Sequence, residues 1–166
     1  MAVFGSAVHS ILEKNSVEGD TSEKRLKIQL GKDSLSGQAD RVFTDSSGLH
    51  YIQDYKVTSV YKVLFEDFKD WSFQLNCYKF LLETAGQQVD KMEIIAILRD
   101  WKRSEAIKAR KNGKPYPESQ VVRIEIQPDP NILLKIAERI ALFNEVDKIN
   151  AIEDLARQYP CSLEDR

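Results

Sequence analysis

The stretch YIQDYKVTS, residues 51–59, places an aspartate and a lysine two positions apart in a segment that reads as a β-strand. Successive side chains of a strand point to opposite faces of the sheet, so Asp54 and Lys56 share one face and Tyr55 points to the other. A surface ion pair would explain this arrangement, and so would an active site that holds a metal ion. The choice depends on the residues around the strand.

The segments on either side predict a mixed α/β fold. Alternating or continuous apolar patterns predict strands at 25–30, 35–44, 49–57, 91–101 and 119–127. Apolar side chains at helical spacing predict helices at 6–14, 66–86 and 129–149, followed by a short helix that Pro160 ends. Polar turns, including DSSG at 45–48, join the first three strands into an antiparallel meander over 25–57. The expected fold class is therefore α/β, with a mixed sheet flanked by helices.

The composition is that of an ordinary globular protein. The chain has 166 residues, 42% hydrophobic and 30% charged, which suits one domain with a real hydrophobic core. No apolar run approaches the roughly 18–20 residues of a membrane-spanning helix, and the first residues lack the features of a signal peptide. Two cysteines, Cys77 and Cys161, cannot make a four-cysteine metal site. We therefore expect a cytoplasmic protein with no membrane partner.

Charge is concentrated in one place. The formal net charge is −2, but the segment 102–114 carries six basic residues against Glu105, a local net charge of +5 that leaves −7 elsewhere. The basic residues are Lys102, Arg103, Lys108, Arg110, Lys111 and Lys114. Such a tract suits a contact with the phosphates of a polyanion, and equally a plain solvated helix with a long loop.

A second carboxylate belongs beside the opening strand. Asp40 ends the sequence Gly37-Gln-Ala-Asp40 in the predicted second strand, and the turn at 45–48 lets it approach Asp54 across the hairpin. Two carboxylates that close repel each other unless a metal ion, a proton or another cation lies between them. Carboxylate oxygens suit Mg²⁺ or Mn²⁺, so a divalent ion fits better than Lys56 alone.

Three further residues are weak signals when taken alone. Gln74 and Tyr78 are four apart, so they share one face of the helix at 66–86. His9 lies on the helix before the meander, where a lone histidine is usually structural. Trp71 and Phe73 precede Gln74 and would suit base stacking, although aromatic residues at helical spacing more often belong to the core.

Together these residues follow the order of a known family. The run His9, Gly37-x-x-Asp40, Asp54-x-Lys56 and Gln74-x-x-x-Tyr78 resembles the RecB-type branch of the PD-(D/E)xK nuclease superfamily. That branch includes helicase-attached nucleases, phage-encoded exonucleases and CRISPR adaptation nucleases. The motifs cover residues 9–78, and the stretch ILRDWKRSEAIKARKNGKPYPESQVVRIEI is also similar to phage-associated members. The resemblance implies a restriction-endonuclease-like core and a single nuclease domain over residues 1–166.

The resemblance also implies a role for each motif residue. Asp40 and Asp54 would hold the catalytic metal, with the backbone carbonyl of Tyr55 as a further ligand. His9 would be an extra ligand that widens the tolerance to Mn²⁺.

The other motif residues would act on water and phosphate. Lys56 would orient or help to deprotonate the attacking water and offset charge at the reacting phosphate. Gln74 and Tyr78 would position Lys56 and the phosphate beside the scissile bond.

Two departures from the family pattern lead to further expectations. Iron–sulfur members carry four cysteines around the core, so Cys77 and Cys161 alone predict no cluster. Relatives extend further at both ends, so we expect a trimmed or minimal version of the domain.

The resemblance thus implies a metal-dependent DNA nuclease, an exonuclease or recombination-type trimming enzyme rather than a site-specific restriction enzyme. Its setting would be DNA recombination, repair or phage DNA processing in a bacterial or phage-infected cell, with a helicase or single-strand annealing protein as partner. The alternatives are a structure-specific or nicking endonuclease of the same fold, a catalytically inactive nucleic-acid-binding module, and a carbohydrate- or small-molecule-binding α/β domain with a chance match.

Overall fold

The chain divides into two compact units, Met1–Asp129 and Pro130–Arg166. The computed structural model describes residues 25–158, with side-chain detail as far as Asp147. In the described part, the first unit runs in the order β1 (Leu26–Leu30), β2 (Asp33–Gly37), β3 (Arg41–Thr44), β4 (His50–Thr58), α1 (Val60–Leu64), α2 (Lys69–Thr84), β5 (Lys91–Leu98), α3 (Arg103–Lys111) and β6 (Val121–Ile126). The second unit contains α4 (Ile132–Gln158).

The main sheet has four strands in the order β3-β4-β5-β6. β4 and β5 are parallel, while the β3–β4 and β5–β6 pairs are antiparallel. Parallel neighbours need a long crossover, and α2 lies in that connection. The nearly continuous apolar sequence of β5, KMEIIAIL, fits a strand at the centre of the sheet. The expected α/β class with a mixed, helix-flanked sheet is confirmed.

The hydrophobic core lies between the main sheet and α2. Trp71, Leu75 and Leu82 of α2 belong to the same buried cluster as Ile52 of β4 and Ile94 of β5. Burying side chains of this size stabilises the fold by roughly 1.5–3 kcal/mol each. The helical spacing of the apolar residues thus fixes which face of α2 meets the sheet, and with it the direction of the polar residues beside that stripe.

The predicted three-strand meander is divided between two sheets. β1 and β2 pair with each other in a separate two-stranded sheet, whereas β3 pairs with β4 in the main sheet. The predicted strand at 35–44 breaks at residues 38–40. At the break, the side chain of Asp40 accepts the backbone N–H of Tyr55 at 2.7 Å, in place of a backbone partner.

The connections also differ from the sequence expectation. The short helix α1 was not predicted, and the predicted strand at 91–101 stops at Leu98. Beyond Leu98, the backbone N–H of Arg99 still bonds to Thr58, and Asp100 turns to accept the N–H of Val60. The basic tract contains a regular helix, α3, as the solvated-helix alternative expects.

At the end of the chain, the predicted helix at 129–149 and the short helix after it form one continuous helix, α4. The predicted helix at 6–14 lies outside the described residues. In the part of the chain that the structure describes, no helix has the length and apolar character needed to cross a lipid bilayer.

Candidate active site

The centre of the site is an ion pair on β4. The Nζ atom of Lys56 lies 2.7 Å from Oδ2 of Asp54. Asp54 is 1% exposed, so its carboxylate lies within the protein rather than on the surface. Burying a carboxylate is costly unless opposite charge and hydrogen bonds compensate, and a buried pair adds little net stability compared with apolar residues. An ordinary surface ion pair therefore does not describe this pair.

Asp40 lies next to the same strand. Arg41 pairs with Gln53 in the β3–β4 register, which places the preceding residue, Asp40, beside Asp54. Its carboxylate accepts the backbone N–H of Tyr55, the residue between Asp54 and Lys56. This hydrogen bond fixes one oxygen of Asp40 against the strand that carries the ion pair.

Lys56 continues into a chain of side chains from α2. Its Nζ donates to Oε1 of Gln74 at 2.8 Å, and Nε2 of Gln74 donates to the hydroxyl of Tyr78 at 2.5 Å. The amide of Gln74 is thus oriented at both ends. The spacing of four residues puts Gln74 and Tyr78 on the face of α2 that meets the sheet. The structure therefore joins Asp54, Lys56, Gln74 and Tyr78 in one continuous network.

The pKa of the Tyr78 hydroxyl depends on its burial and on the carboxylates nearby. Burial raises the pKa of the Tyr78 hydroxyl, and the charges of Asp54 and Asp40 raise it further. The hydrogen bond from Gln74 opposes that rise. The phenol consequently stays protonated at neutral pH, and it keeps its own hydrogen for donation.

Gly37 is required by the approach of Tyr78. A Cβ atom at Gly37 would lie 2.7 Å from Cε1 of the Tyr78 ring and 3.1 Å from Cδ1 of Leu81. A methyl group therefore does not fit unless the ring moves. The glycine that precedes Asp40 by three residues thus makes room for the side chain that ends the network. The sequence showed Gly37 only as part of a motif and gave no sign of this contact.

Several predicted site residues lie elsewhere or outside the described part. His9 lies outside the described residues, so its predicted role as a ligand stays a prediction. Trp71 is buried and stacks on Phe68 with ring centroids 5.4 Å apart, which agrees with the core alternative. The six basic residues of the tract are exposed on and around α3.

The side chains present suit a hard divalent ion. Asp40 and Asp54 offer carboxylate oxygens, the ligand type that Mg²⁺ and Mn²⁺ prefer. Among the side chains that the structure describes, residues 25–147, no three His, Cys, Asp or Glu are grouped so that they could share a metal ion. Two carboxylates with water and phosphate oxygens can form a magnesium site, because Mg²⁺ usually keeps several waters and binds through one or two carboxylates.

Comparison with known proteins identifies the family. The model of the PD-(D/E)XK nuclease superfamily matches residues 16–162, nearly the whole chain. The chain belongs to this superfamily. No curated protein matches the chain. Among solved structures, the fold is similar to the crystal structure of SSO0001, with a TM-score of 0.50 and 18% identity over 86% of this chain. The chain spans 60% of the length of that protein.

Membership gives the network a chemical context. Nucleases of the PD-(D/E)XK superfamily use divalent metals, typically Mg²⁺. The Asp54–Lys56 pair on a central strand occupies the position that the superfamily name describes, an acidic residue and a lysine separated by one residue. The match shows the superfamily, and the RecB-type branch stays a prediction.

Sequence reasoning missed two structural residues near the site. Asn76, two residues after Gln74, is 2% exposed and accepts the backbone N–H of Asp129 at 2.8 Å. Asp100 accepts the N–H of Val60 at 2.8 Å and so holds the start of α1 at the end of β4. Asn76 is a polar residue on the apolar stripe of α2, and this position could have indicated its buried structural role. Nothing in the local sequence indicates that Asp100 bonds to Val60.

Proposed function

We propose that the protein is a metal-dependent DNA nuclease that hydrolyses phosphodiester bonds as an exonuclease. The observation that supports this most directly is the buried Asp54–Lys56 pair, because its lysine is held in one position by both Asp54 and Gln74. The proposed setting is DNA recombination, repair or phage DNA processing. The proposed partner, besides DNA, is a helicase or single-strand annealing protein.

The metal would be Mg²⁺ or Mn²⁺, held by Asp40 and Asp54 together with His9 and the carbonyl oxygen of Tyr55. Such an ion lowers the pKa of a bound water and neutralises charge on a reacting phosphate. Asp40 would then supply the metal ion with a carboxylate oxygen from outside β4, and Asp54 would supply one from within β4. The hydrogen bond from Tyr55 fixes the Asp40 carboxylate beside the strand that carries Asp54.

Lys56 would handle the attacking water and the phosphate. An ammonium group has three N–H donors; Gln74 accepts one of them, and Asp54 forms an ion pair with the group. A remaining N–H would donate to a water or phosphate oxygen without occupying a metal coordination position. A lysine fixed on a central strand needs little reorganisation when charge develops in the transition state.

Gln74 and Tyr78 would act as positioning residues. Gln74 accepts one N–H of Lys56, so it sets the direction in which the remaining N–H points. Tyr78 holds the amide of Gln74, and its own hydroxyl hydrogen would donate to a phosphate oxygen. Because the pKa of Tyr78 is raised, this donor persists at the pH values where a nuclease works.

The basic tract would bind DNA phosphates through one face of α3. Arg103, Lys108 and Lys111 flank the exposed Ile107, on the side opposite the half-buried Ala106 and Ala109. Lys102 and Lys114 lie at the two ends of the helix. Arg110 instead lies 3.4 Å from Glu118, so we expect it to contribute less to DNA binding. A row of cations spaced along a helix suits a run of phosphates.

Digestion of defined substrates tests the proposal. The wild type is incubated with end-labelled linear, circular and single-stranded DNA in the presence of Mg²⁺, Mn²⁺ or EDTA. We expect linear DNA to be degraded only when metal is present, and circular DNA to resist. Asp54→Asn should abolish degradation, and Asp70→Asn, which removes an exposed carboxylate of α2, should leave it unchanged.

Two outcomes would contradict the proposal. Degradation that continues in EDTA would exclude the metal-dependent mechanism. Cutting of circular DNA as fast as linear DNA would exclude the exonuclease and favour an endonuclease of the same fold.

A further inference from the structure

Two aromatic side chains, one on α1 and one on the residue that caps its end, project into solvent. Tyr61 is 62% exposed and Phe65 is 76% exposed. Their rings lie nearly parallel, with an interplanar angle of 20° and 6.1 Å between the ring centroids. They are four residues apart and therefore on the same face of the helix. Exposed apolar groups that form a contiguous patch mark interaction sites more often than single exposed residues do.

The opposite face of α1 explains why these rings stay exposed. Val60 is buried in the core, and Val63 and Leu64 pack against the same cluster. The helix therefore already uses its own apolar side chains to attach to the domain. Tyr61 and Phe65 add a second apolar face, for which residues 25–129 provide no cover that would bury them.

α1 is held in place at both ends. At its start, the N–H of Val60 donates to Asp100 at 2.8 Å. At its end, the N–H of Asp67 donates to the carbonyl of Lys62, and Nζ of Lys62 pairs with the Asp67 carboxylate at 3.0 Å. Glu66 closes the turn with φ of 50°, a conformation that is uncommon outside glycine. The two rings are thus presented by a fixed backbone, which lowers the entropy cost of binding.

The pair also follows, along the chain, directly after the strand that carries the proposed catalytic residues. Tyr61 follows Lys56 by five residues, and a fully extended chain of that length spans at most about 18 Å. Nζ of Lys62 lies 5.3 Å from the ring centroid of Trp71, one turn before Gln74 on α2. Lys56 is therefore linked to α1 by a short stretch of chain, and Gln74 is linked to it by the contact between Lys62 and Trp71.

We infer that Tyr61 and Phe65 form a stacking surface for unpaired bases of the DNA strand bound at the site. The inference rests on the proposed function and narrows its substrate class to DNA with a single-stranded end or region. Aromatic rings stack on any base, so such a surface tolerates sequence. The acidic residues Glu66 and Asp67 follow directly, so this surface suits bases rather than phosphates. The phosphates would meet the basic face of α3.

Binding without cleavage tests the inference. Fluorescence anisotropy is measured in EDTA with a labelled 12-nucleotide oligothymidine, with the same backbone carrying abasic sites, and with a blunt duplex. Tyr61→Ala/Phe65→Ala should weaken oligothymidine binding from about fivefold to about a hundredfold for each ring lost. Binding of the abasic strand and the duplex should change little. Because no phosphate contact is lost, the salt dependence of binding should keep its slope.

Two control variants separate stacking from simple apolar contact. Tyr61→Leu/Phe65→Leu keeps apolar bulk without a flat ring, so it should bind as weakly as the alanine variant. Leu49→Ala removes an exposed apolar side chain just before the opposite end of β4, so it should bind like the wild type. Full rescue by leucine would overturn the inference.

Other outcomes would also overturn it. Equal weakening on oligothymidine, abasic strand and duplex would show a general loss of binding. A wild-type dimer that the alanine variant converts to a monomer, with unchanged oligothymidine binding, would make the patch a protein interface. Because no hydrolysis is needed, ring-dependent binding by a protein that fails to digest DNA would support the inference while contradicting the proposed nuclease. Digestion of duplex ends by a protein that does not bind oligothymidine would do the reverse.

Discussion

Lys56 offsets the charge of the buried Asp54 carboxylate, and it is also a residue of the proposed catalytic site. Breaking a buried ion pair by removing one partner typically destabilises a protein by about 3–5 kcal/mol, because the other charge stays buried. Replacing Lys56 is therefore expected to affect stability as well as catalysis. Gln74 and Tyr78 are better placed to separate the two effects, since their removal leaves the Asp54–Lys56 pair intact.

Gly37→Ala should disturb the site through Tyr78. The added methyl group would meet the ring at 2.7 Å, and overpacking of this kind costs about 1–3 kcal/mol. Urea unfolding should show this loss, and DNA hydrolysis should fall as the ring moves and Gln74 loses its partner.

A double-mutant cycle provides the control for Gly37. In a Tyr78→Leu background the ring is absent, so Gly37→Ala should cost clearly less than in the wild type. An equal cost in both backgrounds would show that the steric contact with Tyr78 is not the reason for glycine.

At the scale of the elements, α2 does more than cover the sheet. It carries Gln74 and Tyr78 toward β4, and it also anchors the segment after β6 through Asn76. The side chain of Asn76 accepts from Asp129 and donates to the carbonyl oxygens of Gln127 and Ser72. One helix thus fixes both the site and the end of the first unit.

Asn76→Ala should lower stability with little direct effect on the site. The substitution removes a buried side chain that satisfies backbone groups, and each buried group left without its partner costs about 1–3 kcal/mol. The free energy of unfolding in urea measures the loss. Asn76→Asp, which sets a buried carboxylate against the carbonyl oxygens of Ser72 and Gln127, should be no more stable than Asn76→Ala. A variant as stable as the wild type would contradict this role.

The two faces of α3 should contribute unequally to DNA binding. Lys108→Gln and Lys111→Gln should each weaken binding to all sequences and reduce the slope of log affinity against log salt by about 1. Lys91→Gln, in an exposed pair with Glu125 on neighbouring strands, should leave the slope unchanged. If Arg110→Gln had the largest effect of the set, the assignment of the binding face would be wrong.

The elements show what local sequence can predict. β5 and α2 were predicted nearly within their observed bounds, because a continuous apolar run and a helical stripe each report burial directly. The division of the meander at residues 38–40 was not, since it depends on the side chain of Asp40 bonding to the distant Tyr55. α1 was missed because its two exposed rings break the usual apolar stripe.

At the scale of the whole molecule, β4 and β5 are joined at both ends by side chains. Asp100 bonds to Val60 near the end of the two strands, and Asp90 bonds to His50 at their start. The Asp90 carboxylate accepts the backbone N–H of His50 at 2.8 Å and the side chain of Gln88 at 2.6 Å. The hydrogen bond from the His50 backbone is the main reason that the pKa of Asp90 falls from 3.8 to about 2.

Stability should therefore decline in acid partly through Asp90. The pKa is lower in the folded than in the unfolded protein, so this contribution is complete above pH 4 and is lost as the pH falls through about 2. Urea unfolding of the wild type and Asp90→Asn should show a stability difference that shrinks between pH 4 and pH 2. Parallel pH profiles of the two proteins would contradict this assignment.

The candidate site was partly predictable for a physical reason. Strand alternation places Asp54 with Lys56, and helical spacing places Gln74 with Tyr78, so each pair follows from local geometry. That the two pairs meet through Lys56 and Gln74 depends on how α2 packs on the sheet, which local spacing does not encode. Family resemblance supplied that link, and the steric role of Gly37 depends on the approach of the Tyr78 ring in three dimensions.

The most direct test of the account is Mg²⁺-dependent hydrolysis of linear DNA by Lys56 variants. Lys56→Ala and Lys56→Gln should each reduce the rate at least about a hundredfold, as expected for loss of a positioned acid–base group. Lys56→Gln keeps a hydrogen-bond donor beside Asp54, and circular dichroism verifies folding of both. Lys91→Ala, on the neighbouring strand, should match the wild type. Folded Lys56 variants that hydrolyse DNA at the wild-type rate would contradict the central claim.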